Sequence, residues 1–346
     1  MRVTQKEQTR SFGEILEPLL RIESLSVEYR TEQGVAKAVQ DVSLEVRKGE
    51  TLGLVGESGS GKSTLGLAIM GLIQPPGFMA SGRITFGGVE LTRLSSEELR
   101  AQRGKKIAMI FQDPMTSLNP VKKIGDHFIE YISTHEPDIS NEKARSRTET
   151  ILEDLGIPAS RMDDYPHQFS GGMRQRVMIG LGLALSPSLI IADEPTTALD
   201  VIVEAQILKL LQDLKTKYSL SLVLITHNMG IVAEMADRVA VMYAGRIAEN
   251  APTVSLFENP KHPYTQALLK AIPNLLVEDR VLSTIPGSPP DLTDPPTGCS
   301  FHPRCPYAFN KCTLEVPEPM QTGTDSEASC FLLEGELPRH SLKSSA

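Results

Sequence analysis

Gly56-Glu-Ser-Gly-Ser-Gly-Lys-Ser63 is the stretch whose reading decides the fold. It fits the pattern G-x-x-x-x-G-K-[ST], a loop built to cradle phosphates. The apolar run Thr51-Leu-Gly-Leu-Val55 before it predicts a buried strand. Ser63-Thr-Leu-Gly-Leu-Ala-Ile-Met70 after it predicts a helix. That strand–loop–helix context separates a phosphate site from an ordinary glycine-rich turn. Gly56, Gly59 and Gly61, with Ser58 and Ser60 between them, let the backbone curl so that several N–H groups face one point. The helix N-terminus adds partial positive charge there. Lys62 can reach the β- and γ-phosphates, the Ser63 hydroxyl can ligate Mg²⁺, and Thr64 can face the α-phosphate.

Outward from this loop, the chain alternates strand and helix signals. Leu19 to Val46 alternates apolar and polar residues and predicts two strands around the turn Thr31-Glu-Gln-Gly34. Ser81 to Gly88 reads as a strand and turn, and Ile107-Ala-Met-Ile-Phe111 as a further apolar strand. Helical segments dominate from Asp113 to about Leu185. Strands follow at Leu189–Ala192 and Leu222–Thr226, with a helix from Val203 to Lys217 between them. This order argues for a parallel sheet covered by helices. Val239 to Glu249 reads as a hairpin around Ala244-Gly245, and the Pro-rich run from Ile285 to Pro296 as a linker or extended arm. No internal repeat is visible.

Composition narrows the function classes. The 346 residues are 40% hydrophobic and 23% charged, ordinary for a globular chain. The net charge of −8 lacks the basic excess of a general nucleic-acid binder. No stretch approaches 18 uninterrupted apolar residues, and the first 14 residues contain no apolar core of a secretory signal. A cytoplasmic protein is expected, reaching a membrane only by docking on another protein.

Leu189-Ile-Ile-Ala192 runs into Asp193-Glu194. Alone, an acidic pair after a strand is a solvated turn. Downstream of a phosphate loop, Asp193 is placed to hold Mg²⁺, and Glu194 to act as general base for an attacking water.

Phe169-Ser-Gly-Gly-Met-Arg-Gln-Arg176 resembles the signature loop of ABC-type ATPases, and the family's other motifs occur in order. Gln112 matches the Q-loop glutamine, Ala198-Leu199-Asp200 the D-loop, and His227 the switch histidine. Tyr29 lies where the family places an aromatic under adenine. The resemblance implies an α/β P-loop NTPase fold: a RecA-like core sheet with an antiparallel β subdomain, an inserted helical subdomain and a cysteine-bearing C-terminal arm. The implied division is an extension at 1–18, an ATPase domain at 19–255 with its helical part near 113–185, and a C-terminal region at 256–346. Gln112, Glu194 and His227 would serve catalysis, with Gln112 also near the metal. Ser170, Gly171, Gly172 and Asp200 would close on ATP held by a facing subunit. Two departures stand out: Met173 replaces a frequent glutamine, and Asn228 replaces the aspartate that follows the histidine.

Phe111–Pro120, Tyr165–Arg176 and His262–Leu269 resemble the dipeptide, oligopeptide and nickel importer branch. That branch implies import of peptides or a related solute, a second and different ATPase subunit, two permeases and an external binding protein. A soluble ATPase acting on nucleic acid or ribosomes is the alternative, opposed by the acidic balance and the short span between loop and signature. A sensor that only binds nucleotide is opposed by Glu194 and His227.

Cys299, Cys305, Cys312 and Cys330 follow C-x5-C-x6-C-x17-C. Converging thiolates bind Zn²⁺ or an Fe–S cluster, and the spacing alone selects neither. The branch resemblance implies a [4Fe–4S] cluster, with zinc as alternative and His302 as a substitute ligand.

Overall fold

The computed structural model describes residues 17–112, 118–197, 199–271 and 285–335. Residues 113–117 of the Phe111–Pro120 motif, Ala198 and most of the expected N-terminal extension lie outside them.

Two sheets organise the described residues. β1 (Leu20–Thr31) and β2 (Gly34–Val46) form an antiparallel pair. β4 (Gly77–Phe86) joins the far side of β1, and the short β5 (Val89–Glu90) pairs with β4. β3 (Thr51–Val55) belongs to the second sheet and leads through the glycine loop into α1 (Lys62–Ile69). Beside it lie β6 (Ile107–Ile110), β7 (Leu189–Asp193), β8 (Ser221–Thr226) and β9 (Arg238–Tyr243). Their spatial order is β9-β3-β8-β7-β6, all parallel. Every residue of β3, β7, β8 and β9 is buried. Burial on both faces explains why these strands read as continuous apolar runs rather than alternating ones.

Register fixes what meets at the sheet's C-terminal edge. Val55 pairs with Thr226 and Asp193 with Ile225. The glycine loop, the acidic pair and His227 therefore leave neighbouring strands side by side, where ligands bind in open parallel sheets.

Between β5 and β6 stands α2 (Ser96–Gln102), closed by a capping box between Ser95 and Glu98. The helical region holds α3 (Ile124–His135), α4 (Asn141–Asp154) and α5 (Gly171–Leu183). Its core is continuous with one face of the parallel sheet: Phe128, Ile151, Leu152 and Val177 share one apolar cluster with Ile190 and Leu224. Gly180 allows this packing, since a Cβ there would stand 2.5 Å from Leu155 and 3.0 Å from the Phe128 ring. α6 (Val201–Tyr218) spans the helix expected between the last two apolar strands.

The hairpin of β9 and β10 (Arg246–Pro252) turns at Ala244-Gly245 as expected. Two short helices flank it, α7 (Met229–Met235) before the hairpin and α8 (Thr253–Glu258) after it, and α9 (Pro263–Lys270) comes next. Past Ile285 the chain is not a free arm. Lys37 donates its N–H to the Leu292 carbonyl, and Ile285 and Leu292 pack on the core that holds Tyr243, Tyr264 and Phe301. After α10 (Asn310–Leu314), β11 (Met320–Gly323) and β12 (Ser326–Ala328) extend the core sheet through β10. The proline-rich composition conceals this, because prolines mark extended backbone whether or not it packs.

His262 pins α9 in place. Its Nδ1 accepts from the Tyr264 N–H at 3.0 Å, and its own N–H donates to buried Glu249 at 2.9 Å. Burial pushes the imidazole down to about 4, so it stays neutral in the fold.

Two stability changes follow. Phe128→Ala should lower unfolding free energy in urea by about 3–5 kcal/mol, because the ring fills the space beside Gly180. The unfolded chain binds a proton at His262 that the fold excludes between about 4 and 6.5. The histidine's contribution is therefore full above pH 6.5 and lost progressively as pH falls toward 4. His262→Asn, which keeps a cap acceptor, should flatten this part of the pH dependence in urea melts at pH 7 and 4.5.

Candidate nucleotide site

Backbone conformation forms the loop before any ligand does. Gly56 and Gly61 sit at φ of +156° and +102°. A Cβ on Gly56 would lie 2.1 Å from the Met242 carbonyl oxygen, and one on Gly61 2.1 Å from that of Ala38. Neither position accepts another residue without moving main chain. The loop is also tied from outside, where Gly245 donates its N–H to the Ser60 carbonyl at 2.9 Å. Ser58 and Gly59 are exposed at the tip, and Thr64 is half-buried in the first turn of α1.

Lys62 is the buried cation of the site. Its Nζ donates to the Gly56 and Glu57 carbonyls at 2.8 and 2.9 Å and to Ser60 Oγ at 3.2 Å. Burial lowers its pKa, while Glu194, Asp193 and Glu57 counter that shift. These weak, rearrangeable contacts hold the ammonium at the loop where phosphate oxygens can take it over.

Ser63 donates its hydroxyl to Asp193 Oδ1 at 3.0 Å, joining α1 to the end of β7. Burial raises the Asp193 pKa, with Ser63 and Lys62 opposing and Glu194 reinforcing. Two hard oxygen donors at this spacing fit Mg²⁺, which takes few protein ligands and completes its octahedron with phosphate and water.

Glu194 gathers the remaining groups. Its backbone sits at φ +45°, a strained conformation for a side-chain-bearing residue, held by an N–H donated to the Ile225 carbonyl at 2.9 Å. One carboxylate oxygen meets His227 Nδ1 at 3.0 Å; the other accepts from Gln112 Nε2 and Thr197 Oγ1, both at 2.8 Å. Burial pushes the Glu194 pKa up, but the hydrogen bonds from His227 and Thr197 outweigh it and leave the carboxyl below its ordinary value. Thr197 was not singled out from the sequence. Its place three residues after Glu194, in the turn before the Leu199-Asp200 segment, was the available signal.

The structure thus brings together Lys62, Ser63, Asp193, Glu194, Gln112 and His227. It does not bring the signature residues to them. Ser170 and Gly171 are exposed, and Ser170 caps α5 by accepting from the Met173 N–H at 3.3 Å. Gly172 presses on α6, where a Cβ would stand 2.6 Å from Val203. Asp200 caps α6, accepting from Ile202 and Val203, and also faces solvent. Among the described residues, no hydrogen bond or ion pair joins Ser170–Gly172 to the glycine loop. Tyr29 lies half-buried in β1 with its ring against Gly77.

The two sequence departures have local accounts. Met173 Sδ lies 3.6 Å from Arg161, whose guanidinium stacks over Phe169. Asn228 caps α7 by accepting from the Gly230 N–H at 2.9 Å, a role its amide oxygen fills as a carboxylate would.

The expected [4Fe–4S] or zinc site requires correction. Among the described residues, no group of three or more His, Cys, Asp or Glu side chains is placed to hold a metal ion. Cys299, Cys305, Cys312 and Cys330 are free and tucked into apolar surroundings. Burial, reinforced by the neighbouring cysteines, pushes the Cys305 thiol up to about 12 and the Cys330 thiol up to about 11. His302 turns its Nδ1 to the Cys299 carbonyl at 2.9 Å.

A parallel sheet ending in a glycine loop, a buried lysine and a Ser–Asp pair defines the class of P-loop nucleoside triphosphatases. Residues 39–197 match the family described as ABC transporter, and residues 248–312 that described as oligopeptide/dipeptide transporter, C-terminal region. The oligopeptide transport ATP-binding protein of Bacillus subtilis (strain 168) is 48% identical over 93% of this chain and 90% of its own length. The dipeptide transport ATP-binding protein of Escherichia coli (strain K12) is 46% identical over 90% of this chain and 96% of its own. A dimeric ATP-binding cassette solved with ADP and phosphate after hydrolysis superposes with a TM-score of 0.61 at 26% identity, covering 68% of this chain and 98% of that one. The chain belongs to the ABC transporter family, among the ATP-binding subunits with an oligopeptide/dipeptide-type C-terminal region.

The network around Glu194 is directly testable. In His227→Ala the Glu194 carboxyl, followed by ¹³C NMR, should titrate at higher pH than in the parent, because burial would then be opposed by one fewer donor.

Proposed function

We propose that the chain hydrolyses ATP to drive import of peptides or a related solute, as one nucleotide-binding subunit of a transporter at the cytoplasmic face of a membrane. The observation that carries this reading is the convergence of Lys62, Ser63, Asp193 and Glu194 at one sheet edge. It is supported by near-full-length similarity to transport ATP-binding proteins. Among the described residues no helix is long and apolar enough to cross a membrane, so attachment would come through two permease subunits. An external binding protein would deliver the solute. Similarity over nearly the whole chain to transport subunits leaves the nucleic-acid or ribosome reading without support.

In this reading Gly56 and the run from Ser58 to Thr64, with the Lys62 ammonium, bind the triphosphate, and Tyr29 faces the adenine. Ser63, Asp193 and Gln112 would hold Mg²⁺, which when bound would supply positive charge to the phosphate oxygens. Glu194 takes the proton of the attacking water; its lowered pKa keeps it ionised and ready as an acceptor. His227 and Gln112 orient that carboxylate. Ser170, Gly171, Gly172 and Asp200, all turned outward or along α6, fit a facing subunit whose nucleotide they would enclose, and the solved relative is dimeric with ADP and phosphate bound. The facing subunit would be a second, different ATPase. Residues 19–255 would form the ATPase domain, with 113–185 its helical part, and 256–346 the C-terminal region.

Glu194→Gln should reduce steady-state ATP turnover by about 100-fold or more while a fluorescent ATP analogue still binds. Normal turnover in that variant would remove the base assignment.

A further inference from the structure

Glu57, the residue after the first loop glycine, is held on every polar group it owns, and two of the residues that hold it come from the C-terminal region. Its carboxylate is gripped bidentately by Arg304, at 2.7 and 3.0 Å. Its N–H donates to the Tyr264 hydroxyl at 2.9 Å. Its carbonyl accepts from Lys62 at 2.9 Å. The sequence separations are 247 and 207 residues, so neither C-terminal contact is a local accident.

The anchors are rigid. The Arg304 side chain is 5% exposed and also donates to the Pro286 carbonyl at 2.9 Å and to the Tyr243 hydroxyl at 3.2 Å. Tyr264 is fully buried, its ring 4.5 Å from Tyr243 and 5.3 Å from Phe301. A guanidinium fixed in this way presents a preset fork to the carboxylate. The charge arithmetic matters as much as the geometry. Glu57 carries a negative charge on the loop that must receive a polyanion. Paired with Arg304 it is neutralised; unpaired, it would repel the incoming phosphates in a partly desolvated setting where such repulsion is poorly screened.

Resting on the ATP-hydrolysing reading of the loop, we propose that Arg304 and Tyr264 are positioning residues of the nucleotide site, so that the C-terminal region sets the affinity of the glycine loop for ATP. Arg304 neutralises and aims Glu57, and Tyr264 fixes the Glu57 peptide. Lys62, bonded to the same peptide, inherits that position.

The test uses the full-length chain and four variants: Arg304→Gln, Arg304→Lys, the double variant Glu57→Gln with Arg304→Gln, and Tyr264→Phe. ATPase kinetics, binding of a fluorescent ATP analogue and melting temperature are measured for each. Arg304→Gln should raise KM and the analogue Kd by about 3–10-fold, with kcat within about twofold of the parent. Arg304→Lys, which keeps the charge but not the fork, should fall between. The double variant should recover most of the lost affinity, because the repelling charge is gone. A merely structural staple would instead lower the melting temperature in every variant, leave KM unchanged, and give no recovery in the double variant. That pattern would overturn the proposal. If Arg304→Gln does not fold, Tyr264→Phe decides: a raised KM supports the proposal and an unchanged KM removes it. A parent protein that binds the analogue but turns over no ATP would remove the hydrolysis reading, while the analogue affinities would still judge Arg304.

Discussion

The register of three parallel strands is the constraint on which the rest of the structure depends. Val55 stands opposite Thr226, and Asp193 opposite Ile225. Because side chains alternate along a strand, slipping either pair by one residue would turn Asp193 or the loop entry away from the shared edge. Complete burial of these strands holds the register, since any slip would expose apolar side chains or bury unpaired peptide groups. The placement of the glycine loop, of Asp193 and of the strained Glu194 at one edge is a consequence of that alignment.

Glu194 shows how the fold maintains tension at a functional edge. Its backbone is kept in the left-handed region by a bond to Ile225, and its carboxylate is shared among His227, Gln112 and Thr197. Burial alone would favour the neutral acid; the donors reverse the balance. The side chain is therefore ionised without being free. Gln112, the last described residue after β6 before the helical region, shares its bond. Beyond it, α3 packs through Phe128 into the same core as the sheet.

Much of the fold was legible in the sequence, for local reasons. The glycine loop forces its own geometry, and the fully apolar strands could only be central. The hairpin at Ala244-Gly245 carries its turn in two residues at φ +46° and +82°. The C-terminal region was less legible. Its prolines suggested an arm, yet β12 pairs with β10 and Leu292 bonds to Lys37. The four cysteines suggested a metal site by count and spacing, while the structure leaves them as free thiols, Cys312 and Cys330 buried and Cys299 and Cys305 half-buried. Spacing along the chain does not reveal whether neighbouring sulfur atoms are placed as a ligand set.

The sequence by itself determined the phosphate loop, the order of strands and helices, and the identity of the acids and histidine that follow the core strands. These depend on near-neighbour rules: glycine's access to positive φ, apolar periodicity, and turn residues at strand ends. Only the tertiary structure decided that Glu194 is ionised against its own burial, that the signature turn faces outward, and that Glu57 is clamped by Arg304. The His227 bond to Glu194 and the Arg304 clamp join groups 33 and 247 residues apart. Residues that distant approach only after the apolar cores have closed, and no local pattern encodes which of them will meet.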